Sequence, residues 1–157
     1  MRNSVFILPI IGESAGNRTA VISAEAVSRF NVEELQRMHD LGVRGVRFNY
    51  VKRLVDPKPD DYYREIIEKI RPLGWHVVLY FEPADLKEKK DFFNSLNIPL
   101  VIDHMGRPDV TKPVDNEEFE MFLDFMRGNK DIWCKVSCPD RLTKSDTTPQ
   151  SPRAGQD

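Results

Sequence analysis

Histidine is scarce in this chain, and its scarcity removes one chemistry at once. Only His39, His76 and His104 occur among 157 residues. No two stand in a His-x-His or His-x-x-x-His pair, so a catalytic zinc site, which takes about three protein ligands and keeps one position open, is not expected. There is no glycine-rich phosphate loop and no Gly-x-Ser-x-Gly elbow. Neither sign of charge is in excess: 23 basic and 25 acidic residues leave a net charge of -2, without the basic signature of nucleic-acid binders. No apolar run approaches the ~20 residues that cross a bilayer. Residues 5–11 are apolar and follow Arg2, but they are few and lack a clear small-residue cleavage site, so a secretory leader is not expected. Cysteine is limited to Cys134 and Cys138. Their C-x-x-x-C spacing is neither a redox pair nor a zinc half-site, and they read as structural thiols of a cytoplasmic protein.

The remaining composition, 40% hydrophobic and 31% charged, is that of one globular domain with a sizeable core. Its organising stretch is residues 42–56, GVRGVRFNYVKRLVD. Gly42 suits the end of a helix, and Gly45 suits a tight entry into a strand. Val46 and Phe48 alternate with Arg47 and Asn49, a period of two. Arg47, Lys52 and Arg53 then cluster near the strand's C-terminal end, where parallel α/β folds bind ligands. An anionic small molecule is the partner this suggests.

Strand and helix patterns alternate along the chain. Residues 19–23 read as a short strand. Asn31 with Glu34 has the spacing of a capping box, and Leu35, Met38 and Leu41 continue it at helical intervals. VDPKPDD is a loop that two prolines keep from becoming helix. Asp60 or Asp61 is the expected cap of the next helix, which carries Tyr62/Tyr63, Ile66/Ile67 and Ile70. HVVLYF and PLVI are continuous apolar runs, as in strands covered on both faces. Asp85 with Glu88, and Asp115 with Glu118, repeat the capping spacing. Phe119, Phe122, Leu123 and Met126 mark the apolar face of the last helix, and residues 132–136 the last strand. The result is roughly five βα strands, either an open α/β sheet or part of a (β/α) barrel, since a closed barrel needs eight strands and ~250 residues. From Thr143 onward no large apolar residue occurs, and a disordered tail over 143–157 is expected.

Polar residues at strand C-terminal ends are the candidates for function: Arg47 and Asn49, Tyr80 and Glu82, Asp103, His104 and Arg107, then Ser137, Asp140 and Arg141. In a parallel sheet they share one rim. Arginine's planar fork suits carboxylates, and several arginines suit a substrate with more than one. His104 follows an apolar strand, where an imidazole polarises a carbonyl or shuttles a proton. Each residue also has a plainer reading: a solvated arginine, a core tyrosine with its hydroxyl at the edge, Glu82 starting a helix, Asp103 ordering a loop. His39 and His76 are read as structural.

GVRGVRFNYVKRLVD, GWHVVLYFE, VIDHMGRPDV and DIWCKVSCPDRL, in this order and at these intervals, resemble the 2-pyrone-4,6-dicarboxylate lactonases of the amidohydrolase superfamily over about residues 19–142. The resemblance implies a (β/α)8 barrel that hydrolyses a cyclic ester bearing two carboxylates, in lignin-derived aromatic catabolism and without a metal cofactor. By the matching motifs, Arg47 and Arg53 hold substrate carboxylates, Tyr80 contacts substrate, and His104 polarises the lactone carbonyl. Arg141 is another substrate-binding arginine, and Arg107 belongs to the shared His-Met-Gly-Arg motif. The family's opening Asp-x-His-x-His strand and its closing Gly-Thr-Asp-Trp-Pro strand, which carries the general base, have no counterpart here. The expectation is a partial barrel of five parallel strands, open at both ends, with a poorly matching segment over 1–18. Its exposed sheet edges would favour self-association, and Phe119, Phe122, Leu123 and Met126 would lose cover. Two alternatives stand beside a lactone hydrolase: a non-catalytic remnant that binds dicarboxylates, and a metal-dependent decarboxylase or hydrolase of the same superfamily.

Overall fold

A computed structural model describes residues 19–138. The apolar run at 5–11, Asp140, Arg141 and the tail from Thr143 lie outside the described residues. The order of elements is β1 (Ala20–Ser23), α1 (Ala24–Arg29), α2 (Val32–Asp40), β2 (Val43–Asn49), α3 (Asp60–Ile70), β3 (His76–Tyr80), α4 (Pro83–Ser95), β4 (Leu100–Ile102), α5 (Glu117–Gly128) and β5 (Ile132–Cys134). The five strands are all parallel and stand in the sheet in sequence order. Such a run of consecutive βα units is the wall of a (β/α) barrel. Among the described residues β1 and β5 each pair with one strand, so the sheet has two edges.

Strand alternation divides the sheet into two unlike faces. Ile22, Val46, Phe48, Val77, Leu79, Leu100 and Ile102 point outward and join the helices in one buried core. On α3, Tyr63, Ile66, Ile67 and Ile70 are buried at the i, i+3, i+4, i+7 spacing. The Tyr63 ring rests 4.6 Å from that of Phe48. On α5 the deepest residue is Phe125, with its ring 6.2 Å from Phe93 of α4. The sequence pattern passed over it. Phe122 is buried as well, while Phe119, Leu123 and Met126 are partly covered. The other sheet face carries Ser23, Gly45, Arg47, Asn49, His76, Val78 and Tyr80, aligned by the register Ser23–Arg47–Val78–Val101–Trp133. Trp133 on this inner face is 67% exposed.

The helix starts show which local signals hold. Asn31 and Glu34 form the reciprocal box that their spacing predicts. The other three caps move. Helix α3 starts at Asp60 behind Pro59, with no side-chain cap. The α4 box is Glu82 with Asp85, three residues earlier than Asp85 with Glu88, because Pro83 is well suited to the first helical position. In α5 Asn116 replaces Asp115, its side chain accepting from Phe119 N–H. Gly42 closes α2 in the left-handed region, at φ 96°.

Gly45 lies in the middle of β2 rather than at its entry, and space explains it. A Cβ there would stand 2.6 Å from Nε2 of His76. Burial lowers the pKa of His76; a hydrogen bond to the Arg44 backbone opposes this, and the charge of Lys135 adds to it. Nε2 is buried and has no hydrogen-bond partner among the described residues. A neutral imidazole is therefore built into the fold. The unfolded chain takes up a proton near pH ~6.5 and the folded chain only below that. This histidine's effect on stability is nil above that pH and destabilising below it. The urea midpoint is expected to fall between pH 7.5 and 5.5, and His76→Gln to flatten that part of the profile. An equal fall in the variant would count against the assignment.

Candidate functional site

The rim is built around one buried carboxylate. Asp103 follows β4 directly and is fully buried. Arg47, from β2, donates through Nε to Oδ2 at 2.8 Å, and Lys135, just past β5, donates through Nζ to Oδ1 at 2.9 Å. Both cations keep about a quarter of their side-chain surface, 26% and 27%. Arg47 bonds Asp103 through Nε, and its guanidinium carbon lies 4.2 Å from the centroid of the Tyr80 ring. That stacking restrains the fork.

Tyr80, at the end of β3, links this group to the next. Its ring is buried and its hydroxyl accepts from Arg107 Nη1 at 2.7 Å. Arg107 also stands 3.8 Å from Glu82, which in turn stands 3.7 Å from Arg53. The His104 ring meets Tyr80 edge-on, 5.4 Å between centroids, and its Nδ1 lies 2.9 Å from Ser137 Oγ. Four cations, Arg47, Lys135, Arg107 and Arg53, thus share two carboxylates, Asp103 and Glu82. Among the described residues the rim carries a surplus of two positive charges.

An unusual backbone presents His104 and Arg107. His104, Met105, Gly106 and Arg107 are consecutive left-handed residues, with φ of 53°, 58°, 69° and 53°. Each of the three with a Cβ is strained by roughly 1–2 kcal/mol. The turn is held by Arg107 N–H to the His104 carbonyl, 3.0 Å, and by Met105 N–H to the Lys135 carbonyl, 3.1 Å. Gly106 is required twice over, by its φ and because a Cβ would stand 2.8 Å from the Phe122 ring.

Of the residues singled out from the sequence, Arg47, Tyr80, His104, Arg107, Glu82, Asp103 and Ser137 come together. The basic cluster at the end of β2 divides. Arg47 turns into the inner face, whereas Arg53 is 58% exposed beside Glu82, and Lys52 is 66% exposed and 4.0 Å from Glu88. Asn49 serves the loop, its side chain accepting from Val51 N–H. Asp103 does more than order a loop, since it anchors one cation from β2 and another from just past β5. Lys135 was missed. The signal for it was the same alternation that marks Arg47, since residue 135 lies two positions after Trp133, which is in register with Val101. Among the described residues no three His, Cys, Asp or Glu side chains gather closely enough to hold a metal ion. No helix among them is long and apolar enough to cross a membrane.

Residues 15–155 match the amidohydrolase family. Over 110 residues the chain is 63% identical to the 2-pyrone-4,6-dicarboxylate hydrolase of Comamonas testosteroni, covering 70% of this chain and 36% of that protein. The 4-sulfomuconolactone hydrolase of Hydrogenophaga intermedia is 28% identical over 144 residues, covering 91% of this chain and 46% of its own. Among solved structures, a putative 2-pyrone-4,6-dicarboxylic acid hydrolase from Pseudomonas putida gives a TM-score of 0.66 at 30% identity, over 82% of this chain and 46% of that one. A probable 2-pyrone-4,6-dicarboxylic acid hydrolase from Acinetobacter baumannii, with citric acid bound, gives 0.63 at 27% identity, over 79% and 45%. The chain spans less than half the length of each of these relatives.

Proposed function

This chain belongs to the amidohydrolase family, and on that premise we propose that it supplies the substrate-holding rim of a lactone hydrolase acting on a cyclic ester with two carboxylates, such as 2-pyrone-4,6-dicarboxylate. The observation that carries the proposal is the surplus of two positive charges among the described rim residues, which matches the charge of a dicarboxylate. Arg47, Arg53 and Arg141 hold the carboxylates, with Arg107 and the Tyr80 hydroxyl beside them. Water adds to the lactone carbonyl carbon and gives up a proton, and negative charge grows on the carbonyl oxygen. As the carbonyl re-forms, the ring C–O bond breaks and the released ring oxygen takes up a proton. His104 donates a hydrogen bond to that oxygen as its charge develops. Bidentate clamping of the carboxylates fixes the ring so that the carbonyl reaches His104. The citric acid held by the Acinetobacter baumannii relative is likewise a polycarboxylate.

A second reading, carboxylate binding without turnover, is favoured by one observation. Glu82 and Asp103, the rim carboxylates among the described residues, are each engaged by two cations. Neither is set apart to activate water.

Calorimetry with 2-pyrone-4,6-dicarboxylate, run beside loss of the pyrone absorbance, tests both readings. Binding at least tenfold tighter than that of a pyrone monocarboxylate is expected. Turnover supports the hydrolase, and binding alone supports the second reading. Turnover that a chelator abolishes would favour a metal-dependent enzyme. Absence of both binding and turnover would sink the proposal.

A further inference from the structure

We infer that Ser137 is a positioning residue that sets the tautomer of His104, donating its hydroxyl hydrogen to Nδ1 so that Nε2 carries the ring hydrogen. The inference rests on the proposed role of His104 as a donor to the lactone carbonyl oxygen. It adds the element that makes the ring a donor at one defined atom.

A neutral imidazole has one donor nitrogen and one acceptor nitrogen, and the hydrogen bond at one of them decides the state of the other. Nδ1 of His104 and Oγ of Ser137 are 2.9 Å apart, a full hydrogen bond between residues 33 apart in sequence. Two arrangements satisfy this distance. With the serine donating, Nε2 bears hydrogen and serves an oxygen that gains negative charge. With the serine accepting, Nε2 offers a lone pair, which repels such an oxygen.

The surroundings also fix the ring in place. Tyr80 stands edge-on to it at 83°. The left-handed turn from His104 to Arg107 limits where the ring can go. The same turn is tied to the segment bearing Ser137 by Met105 N–H to the Lys135 carbonyl. The serine, the histidine and the strained turn therefore form one unit spanning the ends of β4 and β5. The Ser137 hydroxyl is a neutral group at hydrogen-bond distance that is able to donate to Nδ1.

With only three histidines, the chain suits long-range proton–nitrogen NMR on 15N-histidine-labelled protein at pH 7.5. For His104 in the wild-type chain, a protonated Nε2 and a bare, hydrogen-bond-accepting Nδ1 are expected. Ser137→Ala is expected to give a mixture of tautomers, and Ser137→Thr, which keeps the hydroxyl, to restore the wild-type pattern. Far-UV circular dichroism confirms that the variants fold. A protonated Nδ1 in the wild-type chain, or an alanine variant with an unchanged pattern, overturns the inference. These spectra need no substrate, so a failure of the tautomer assignment is distinguishable from a failure of the proposed function. Where turnover is measurable, Ser137→Ala should lower kcat roughly tenfold, about 1.4 kcal/mol. Its affinity for the dicarboxylate should stay within about twofold, since the serine holds none of the arginines. An equal loss of affinity would overturn the positioning role.

Discussion

Asp103→Ala is expected to destabilise the chain more than any other single change on the inner face. The carboxylate is fully buried between Arg47 and Lys135, and its removal leaves two cations facing each other with no counter-ion. Breaking a buried pair in this way costs ~3–5 kcal/mol. Here the lower end applies, because each cation keeps about a quarter of its surface in water. A loss of about 3 kcal/mol corresponds to roughly 10 °C in the melting temperature for a chain of this size. Asp103→Asn keeps the volume and one acceptor and should fall between the two. Urea unfolding monitored by circular dichroism measures all three proteins. An alanine variant within about 0.5 kcal/mol of wild type would show that the carboxylate is not the anchor of the rim.

The largest effect on chemistry is expected at His104. Alanine is a poor probe, because the backbone there is left-handed and asparagine tolerates that conformation better than most residues. His104→Asn leaves the turn in place and withdraws the ring. Loss of one donor to a developing oxyanion costs ~10²–10³ in kcat. Dicarboxylate affinity should stay within about threefold, because the arginines are untouched. A variant that loses affinity but keeps its turnover at saturation would place His104 among the groups that merely bind, and the oxyanion role would fall.

The sheet was legible because each of its strands carries its own signal. The alternation of Val46 and Phe48 with Arg47 and Asn49, and the apolar runs HVVLYF and PLVI, need no tertiary partner to be recognised. Arg47, Tyr80, Asp103, His104 and Arg107 were legible for a related reason: each ends or follows such a strand, and parallel pairing brings those ends together. The links between them were not legible. That Arg47 would bond Asp103 rather than stand with Lys52 and Arg53 depends on which way its strand faces. Asp103, 56 residues away, enters only when β3 and β4 have paired. The caps at Asp60, Asp85 and Asp115 failed locally. Many acidic residues precede each helix, and prolines at 59 and 83 and the asparagine at 116 decide among them. The left-handed run from His104 to Arg107 has one glycine in four residues, so sequence offers little to announce it. Lys135 lies just past β5, where a single lysine carries no signal of its own for a buried partner.

The two-faced sheet bears on how such a chain changes over generations. Outward residues such as Val46, Phe48, Val77, Leu79 and Ile102 hold the helices, while Arg47, Tyr80 and their inward neighbours are interleaved with them in the same strands. Stability and ligand preference are therefore written on alternate letters of one text. A point substitution at an inward rim position leaves the helix contacts of the outward residues intact, so the rim can change without passing through an unfolded ancestor. Asp103, like Gly45 and His76, is an exception. It faces inward yet bears on stability, and drift at the rim is expected to stop there.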